Sequence, residues 1–211
     1  MKNFYQFKNL FLIISLVLSV SSFSFAQNSF YGKVYYGLSD AALIPNGDYY
    51  GLVGKEVEGF REFGFRFGKE FNKKWAIEVG LNSASADIKY RPNPSMVSVQ
   101  GLTVLPPQER FNMLSFPILM RYSIFPFLYV NAGPMLDIQR SDNSFDIQGP
   151  DNSFKSQSGI GYLLGISAEH YFKKVGVFVH PHFKRHATIP FESNNFNLTE
   201  FGVQFGLAYS F

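Results

Sequence analysis

Gln204-Phe205-Gly206-Leu207-Ala208-Tyr209-Ser210-Phe211 closes the chain, and in it large apolar side chains alternate with small or polar ones up to a terminal aromatic. Extended backward, Phe201, Val203, Phe205, Leu207, Tyr209 and Phe211 share one face of a strand, while Glu200, Gly202, Gln204, Gly206, Ala208 and Ser210 share the other. A strand that is wholly apolar and aromatic on one side and small or polar on the other suits a wall between lipid and a crowded polar interior. The segment predicts a transmembrane β-barrel.

The same alternation recurs along the chain, placing strands over roughly 30–38, 60–71, 75–88, 110–124, 127–140, 156–171, 175–186 and 196–211. The links alternate in length: 39–59, 89–109, 141–155 and 187–195 are long, whereas Asn72-Lys73-Lys74, Phe125-Pro126 and Lys173-Lys174 are tight turns. Bacterial outer-membrane barrels have short periplasmic turns and longer external loops, and an even strand count. The expectation is therefore all-β: an eight-stranded antiparallel up-and-down barrel with both chain ends in the periplasm.

A soluble sandwich or a lipocalin-like barrel would also show eight alternating strands, with its apolar face turned inward. Here the apolar set is large and aromatic, and the opposite set is glycine-rich with interspersed charge. In the second strand Phe63, Phe65, Phe67 and Phe71 oppose Glu62, Gly64, Arg66, Gly68 and Glu70. Charges facing lipid are costly, so the polar set faces the lumen. Trp75, Ile77, Val79 and Leu81, then Leu114, Phe116, Ile118, Met120 and Tyr122, and then Ile160, Tyr162, Leu164 and Ile166 follow the outward parity. Pro117, Pro134 and Pro181 fall inside strands, where each removes a ladder donor, and predict bulges or kinks.

The front end agrees. Lys2 and Lys8 precede the apolar run Leu10–Leu18, and Ser24-Phe25-Ala26 ends in small residues, the pattern of a signal peptide over 1–26 that is cleaved on export. The barrel domain then spans 27–211. The absence of cysteine excludes a disulfide framework and thiolate chemistry. The formal charge of +3 falls to +1 without Lys2 and Lys8, which gives no ground for nucleic-acid binding. The 25 Phe and 12 Tyr are instead what a lipid-facing exterior of strands requires.

Two motifs resemble known families. Gln204, Gly206, Tyr209 and Phe211 resemble the C-terminal signal that outer-membrane barrels present to the barrel assembly machinery. Phe116-Pro117-Ile118-Leu119-Met120-Arg121-Tyr122, followed by Leu128-Tyr129-Val130-Asn131-Ala132-Gly133-Pro134, resembles the outer-membrane β-barrel domain family of Bacteroidetes often called PorT-like. The resemblance implies a small barrel of the OmpA/OmpX type in the cell outer membrane; PorT-like members are associated with type IX secretion.

An eight-stranded barrel is just wide enough for side chains to fill it. The inward charges Lys33, Glu62, Arg66, Glu70, Glu78, Arg121, Asp137, Glu169, Lys184 and Glu200 carry both signs and predict a paired lumen network rather than a conducting path. His180-Pro181-His182, with His186 beyond, is the one cluster that suggests catalysis or a metal. Counting across the turns sets Ser167 opposite His180 and Glu200 opposite His182, the residue types of a lipid-modifying hydrolase triad, but facing a filled lumen without acyl-chain access. A metal site lacks a third convergent ligand, so neither metal nor cofactor is expected. Arg61, Arg110, Arg140 and Arg185 have lipid-facing parity at the external ends of strands, where guanidinium groups would meet lipopolysaccharide phosphates. The reading is a non-enzymatic outer-membrane protein with a filled lumen, whose loops meet a surface or protein partner. Its alternatives are a lipid-modifying hydrolase and an accessory part of a type IX-like secretion machine.

Overall fold

A computed structural model of the protein describes residues 30–45, 53–92, 108–141, 156–192 and 196–211. The export segment and the loop residues Pro94, Pro106, Pro107, Asn143, Asn152, Asn194 and Asn195 lie outside them. Eight strands follow in chain order: β1 Phe30–Pro45, β2 Val53–Glu70, β3 Trp75–Pro92, β4 Gln108–Phe125, β5 Leu128–Gln139, β6 Gly159–Phe172, β7 Val175–Pro190 and β8 Phe196–Ser210. Each pairs antiparallel with the next, and β8 returns to β1 over a register running from Tyr31↔Ser210 to Pro45↔Phe196. The sheet is a closed barrel without an edge strand.

Period-two alternation sets what each face meets. Phe63, Phe65 and Phe67 are exposed on the outside, while Glu62 and Arg66 between them are 2% exposed. The outward apolar band runs from Phe63 on β2 to Phe71 just past its end, from Leu128 to Ile138 on β5 and from Phe201 on β8 to Phe211 just past its end. Those lengths match the ~9–11 residues a tilted strand needs to cross a bilayer. Near the short turns the band ends in ring contacts: Phe30 with Phe67 at 5.6 Å, Phe67 with Phe211 at 6.1 Å and Trp75 with Tyr122 at 4.7 Å. The Lys69 ammonium lies over the Phe30 ring at 5.4 Å, a cation–π contact at this end of the band.

Three expectations are corrected. The strands on the loop side are longer than the alternation implied, with β1 reaching Pro45 instead of 38 and β2 beginning at Val53 instead of 60. Hydrophobic alternation lapses before the strands end, and the hydrogen-bonded ladder continues past it. The tight turn after β4 is Pro126-Phe127 rather than Phe125-Pro126. The internal prolines do not shift register: pairing around Pro117 resumes in step at Met120↔Ala132, and around Pro181 at Ala168↔Val179. A proline removes one donor and leaves the count of residues unchanged. Apart from a slip at the β4–β5 turn, the shifts fall where the backbone enters the left-handed region, at Gly59 (φ 63°) in β2 and beside Ala187 (φ 45°) in β7.

Gly133, the glycine of the Ala132-Gly133-Pro134 motif, has a steric cause. A Cβ there would stand 2.0 Å from the carbonyl oxygen of Ile118 and 2.9 Å from Leu119 Cα, both backbone atoms of β4. The motif marks a close passage of two strands.

Candidate functional site

The lumen is built in tiers from inward-facing side chains of all eight strands. Toward the short turns, Glu78 of β3 is a hub. Its carboxylate accepts from Lys33 Nζ at 2.7 Å, Tyr31 OH at 2.8 Å and Asn131 Nδ2 at 3.3 Å. Arg121 and Arg66 guanidinium nitrogens stand 3.6 and 3.7 Å from it. Glu169 of β6 takes Lys33 Nζ at 2.5 Å, Arg121 Nη2 at 2.9 Å and Ser167 Oγ at 2.9 Å. The Arg121 guanidinium also lies 3.5 Å from the centre of the Tyr129 ring, a cation–π contact that holds it flat across the lower lumen. Glu70 is half-buried at the mouth next to this tier.

In the middle, Gln204 joins the tiers. Its Oε1 accepts from Arg66 Nη2 at 2.5 Å and stands 2.8 Å from His180 Nδ1, while its Nε2 donates to Glu62 Oε1 at 2.6 Å. Tyr35 donates its hydroxyl to Asn82 beside it. One tier further out, Lys184 Nζ donates to Glu62 Oε2 at 2.6 Å and Glu200 Oε1 at 3.1 Å. His182 Nε2 is 2.8 Å from Glu200 Oε1, and Ser39 Oγ donates to the same oxygen at 2.7 Å. His186 sits between two carboxylates, Nδ1 at 3.0 Å from Asp137 Oδ2 and Nε2 at 3.2 Å from Glu200 Oε2. Only a ring protonated on both nitrogens donates to both. That matches the charge balance, because four cations (Lys33, Arg66, Arg121, Lys184) and five carboxylates (Glu62, Glu78, Asp137, Glu169, Glu200) are buried among the described residues.

Above the charged tiers the lumen turns apolar. Ala41, Val57, Phe60, Ala84, Ala86, Ile88, Phe111, Met113 and Leu198 pack into one buried cluster. Ile88 and Phe111 are at most 1% exposed. Water-excluding packing therefore caps the ion network on the loop side, and that shielding is what makes each charge dependent on its partner.

Of the hydrolase arrangement, the structure joins His182 to Glu200 at 2.8 Å but engages Ser167 elsewhere. Glu200 pairs in register with Lys184 rather than His182, and Ser167 donates to Glu169; no hydrogen bond joins Ser167 to His180 or His182. A serine that donates to a carboxylate already held by two cations has no base to activate it. The expectation about metal is corrected in its reason. A third ligand does converge, since Glu62, His182 and Glu200 each offer an atom within 4.8 Å of the others. The Lys184 ammonium already bridges the two carboxylates. A cation is thus supplied by the chain itself.

On the outer surface, Arg61, Arg110 and Arg140 are exposed, and Arg185 is half-buried. Arg61 pairs with Ser85 and Ser85 with Asn112, whose carbonyl accepts from the backbone nitrogen of Arg140 at 2.8 Å. One polar rung therefore crosses β2, β3, β4 and β5 directly above Phe63 and Leu114. Arg185 lies on β7 between Tyr162 and Thr199. The rung ends the apolar band on its loop side. The chain is a closed eight-stranded barrel with an apolar belt.

No family model matches the chain, and no curated protein is similar to it in sequence. Similar solved structures include the outer membrane protein OprG of Pseudomonas aeruginosa, at 13% identity over 88% of this chain and 96% of that one with a TM-score of 0.49. Another is Ail, the attachment invasion locus protein of Yersinia pestis, at 13% identity over 87% of this chain and 100% of that one with a TM-score of 0.45.

The sequence reading missed several members of the site. Gln204 carries the assembly-signal resemblance, and its inward parity and length also fit it for the lumen link it makes. Tyr31, Asn131 and the apolar cap gave no sequence signal, because parity tells which face a residue takes and not the height at which it meets the opposite wall.

Proposed function

We propose that the protein is a non-enzymatic integral outer-membrane barrel with a closed lumen, exported through segment 1–26, whose outer loops carry interaction with a surface or partner. The observation that carries this is the pairing of an apolar outer belt with an interior in which Lys33, Arg66, Arg121 and Lys184 each contact a carboxylate beneath an apolar cap. Such a body anchors and displays; it leaves no path for solute. Arg61, Arg110 and Arg140 stand, on this reading, at the level of lipopolysaccharide phosphates, while Arg185, half-buried on β7 and already engaged, takes no part. The Lys73-Lys74 and Lys173-Lys174 turns stand at the periplasmic headgroups. The resemblance of Phe116–Tyr122 and Leu128–Pro134 to the PorT-like family supports a Bacteroidetes-type barrel, and no residue of the site favours membership of a secretion machine.

Purified protein that shifts on heating in gels, the mark of a folded barrel, is expected to give no steady unitary current in planar bilayers. Reproducible open-channel steps from the heat-shifting band contradict the closed lumen.

A further inference from the structure

The geometry points to a discrete site for the phosphorylated sugar headgroup of an outer-leaflet glycolipid, on the outward face of β2, β3 and β4; it rests on the outer-membrane reading and gives it a ligand. Gly59, Arg61, Ser85, Asp87, Arg110 and Asn112 line a cavity of about 270 Å³ there.

The backbone makes the cavity. Register slips by one residue between Glu58 and Arg61, and Gly59 in the slip has a φ of 63°. It carries no side chain, and a Cβ placed on it would meet nothing within 4 Å. The bulge thus opens the wall instead of filling it.

Charge then selects the ligand. Arg61 on β2 and Arg110 on β4 flank β3, where Ser85 pairs with both Arg61 and Asn112 and Asp87 pairs with Arg110. Neither guanidinium has an ion-pair partner among the described residues. Lys89, further out on the same face, is matched to Glu58 at 2.5 Å, and every lumen cation is matched as well. Two unmatched forks at a membrane boundary suit phosphate, which guanidinium binds in bidentate fashion. Asp87 disfavours a dense polyanion and accepts from hydroxyls, as Ser85 and Asn112 also can, so the complement is a phosphate on a sugar. The acyl chains of such a lipid would run down over Phe63 and Leu114, which flank Ser83 in the row beneath the rung. Arg185 does not belong to this site. It sits on β7, half-buried, and already interacts with a neighbour.

The test is native mass spectrometry of full-length protein, folded in detergent and titrated with lipopolysaccharide. Retention by Arg61→Gln/Arg110→Gln is expected to fall at least about tenfold, the scale of two lost charge-assisted hydrogen bonds, while Arg185→Gln retains lipid like the parent. Lipopolysaccharide stripped of phosphate is expected to bind the parent at least about tenfold more weakly, an arm that does not depend on any variant folding. Millimolar inorganic phosphate should leave the complex intact. Equal retention by the double variant, equal loss in Arg185→Gln, undiminished binding of the stripped lipid, or displacement by free phosphate each overturns the site. A parent protein without a heat-shifted band overturns the outer-membrane reading instead.

Discussion

Glu78→Gln is expected to destabilise the folded barrel by about 3–5 kcal/mol, the scale for removing one partner of a buried ion network and leaving charge uncompensated. Glu78 is fully buried and meets Lys33, Arg121 and Arg66. The first two keep Glu169; Arg66 has no other carboxylate within 4 Å among the described residues. The substitution preserves volume and one acceptor, so the loss is electrostatic rather than steric. Glu58→Gln is the control, because Glu58 and Lys89 are each 43% exposed and such a pair contributes at most about 1 kcal/mol. Urea unfolding of vesicle-inserted protein measures both. Adding Arg66→Met to Glu78→Gln removes the stranded cation and is expected to recover part of the loss. Equal midpoints for the Glu78 and Glu58 variants would falsify the paired-lumen account.

Gly206→Val is expected to block closure. A Cβ at Gly206 would stand 2.0 Å from the carbonyl oxygen of Val34 and 2.8 Å from Tyr35 Cα, backbone atoms of β1 across the β1–β8 seam. Overpacking against side chains costs about 1–3 kcal/mol because rotamers yield, and here the obstacle is the ladder itself, so the effect lies at or beyond the top of that range. Gly32, on the same seam, is the contrast: a Cβ there would meet only the Phe211 ring at 3.8 Å. Gly32→Ala should fold normally and gain about 0.5–1 kcal/mol from relief of glycine's chain entropy. The pair also separates two meanings of the C-terminal motif. If Gly206 serves only as an assembly address, Gly206→Val refolds in detergent without the assembly machinery as the parent does; the steric account expects failure there too.

Which face each strand turns to lipid was legible from the sequence, because lipid on one side and charge on the other force a period of two. Phe63, Phe65 and Phe67 against Glu62 and Arg66 state it directly. Heights were not legible. Parity brought Glu200 and His182 to one wall but misjudged their offset, and nothing in the spacing brought Glu62 across the lumen to Lys184. The strand ends on the loop side were hidden for a related reason. From Asp40 to Pro45 the sequence Asp-Ala-Ala-Leu-Ile-Pro loses its alternation while pairing with β8 persists. The bulge at Gly59 has no sequence signal, and of the bulges or kinks expected at the prolines no bulge forms, since a missing donor is visible in sequence and a slipped residue count is not. The rim arginines share parity but not circumstances, because half-burial of Arg185 depends on its neighbours Tyr162 and Thr199 on other strands.

The most direct test of a sealed barrel with a lipid-facing belt is depth-dependent fluorescence quenching. Trp75, the single tryptophan, lies at the lower edge of the belt against Tyr122, and Phe205 lies near its middle. In vesicles, Trp75 should be quenched best by lipids brominated near the headgroup. A Phe205→Trp/Trp75→Phe variant should be quenched best by lipids brominated deep in the acyl chain, and iodide in the water should reach it little. Strong iodide quenching at position 205 with no effect of brominated lipid would contradict the account, because it would put the aromatic face of the closing strand in water.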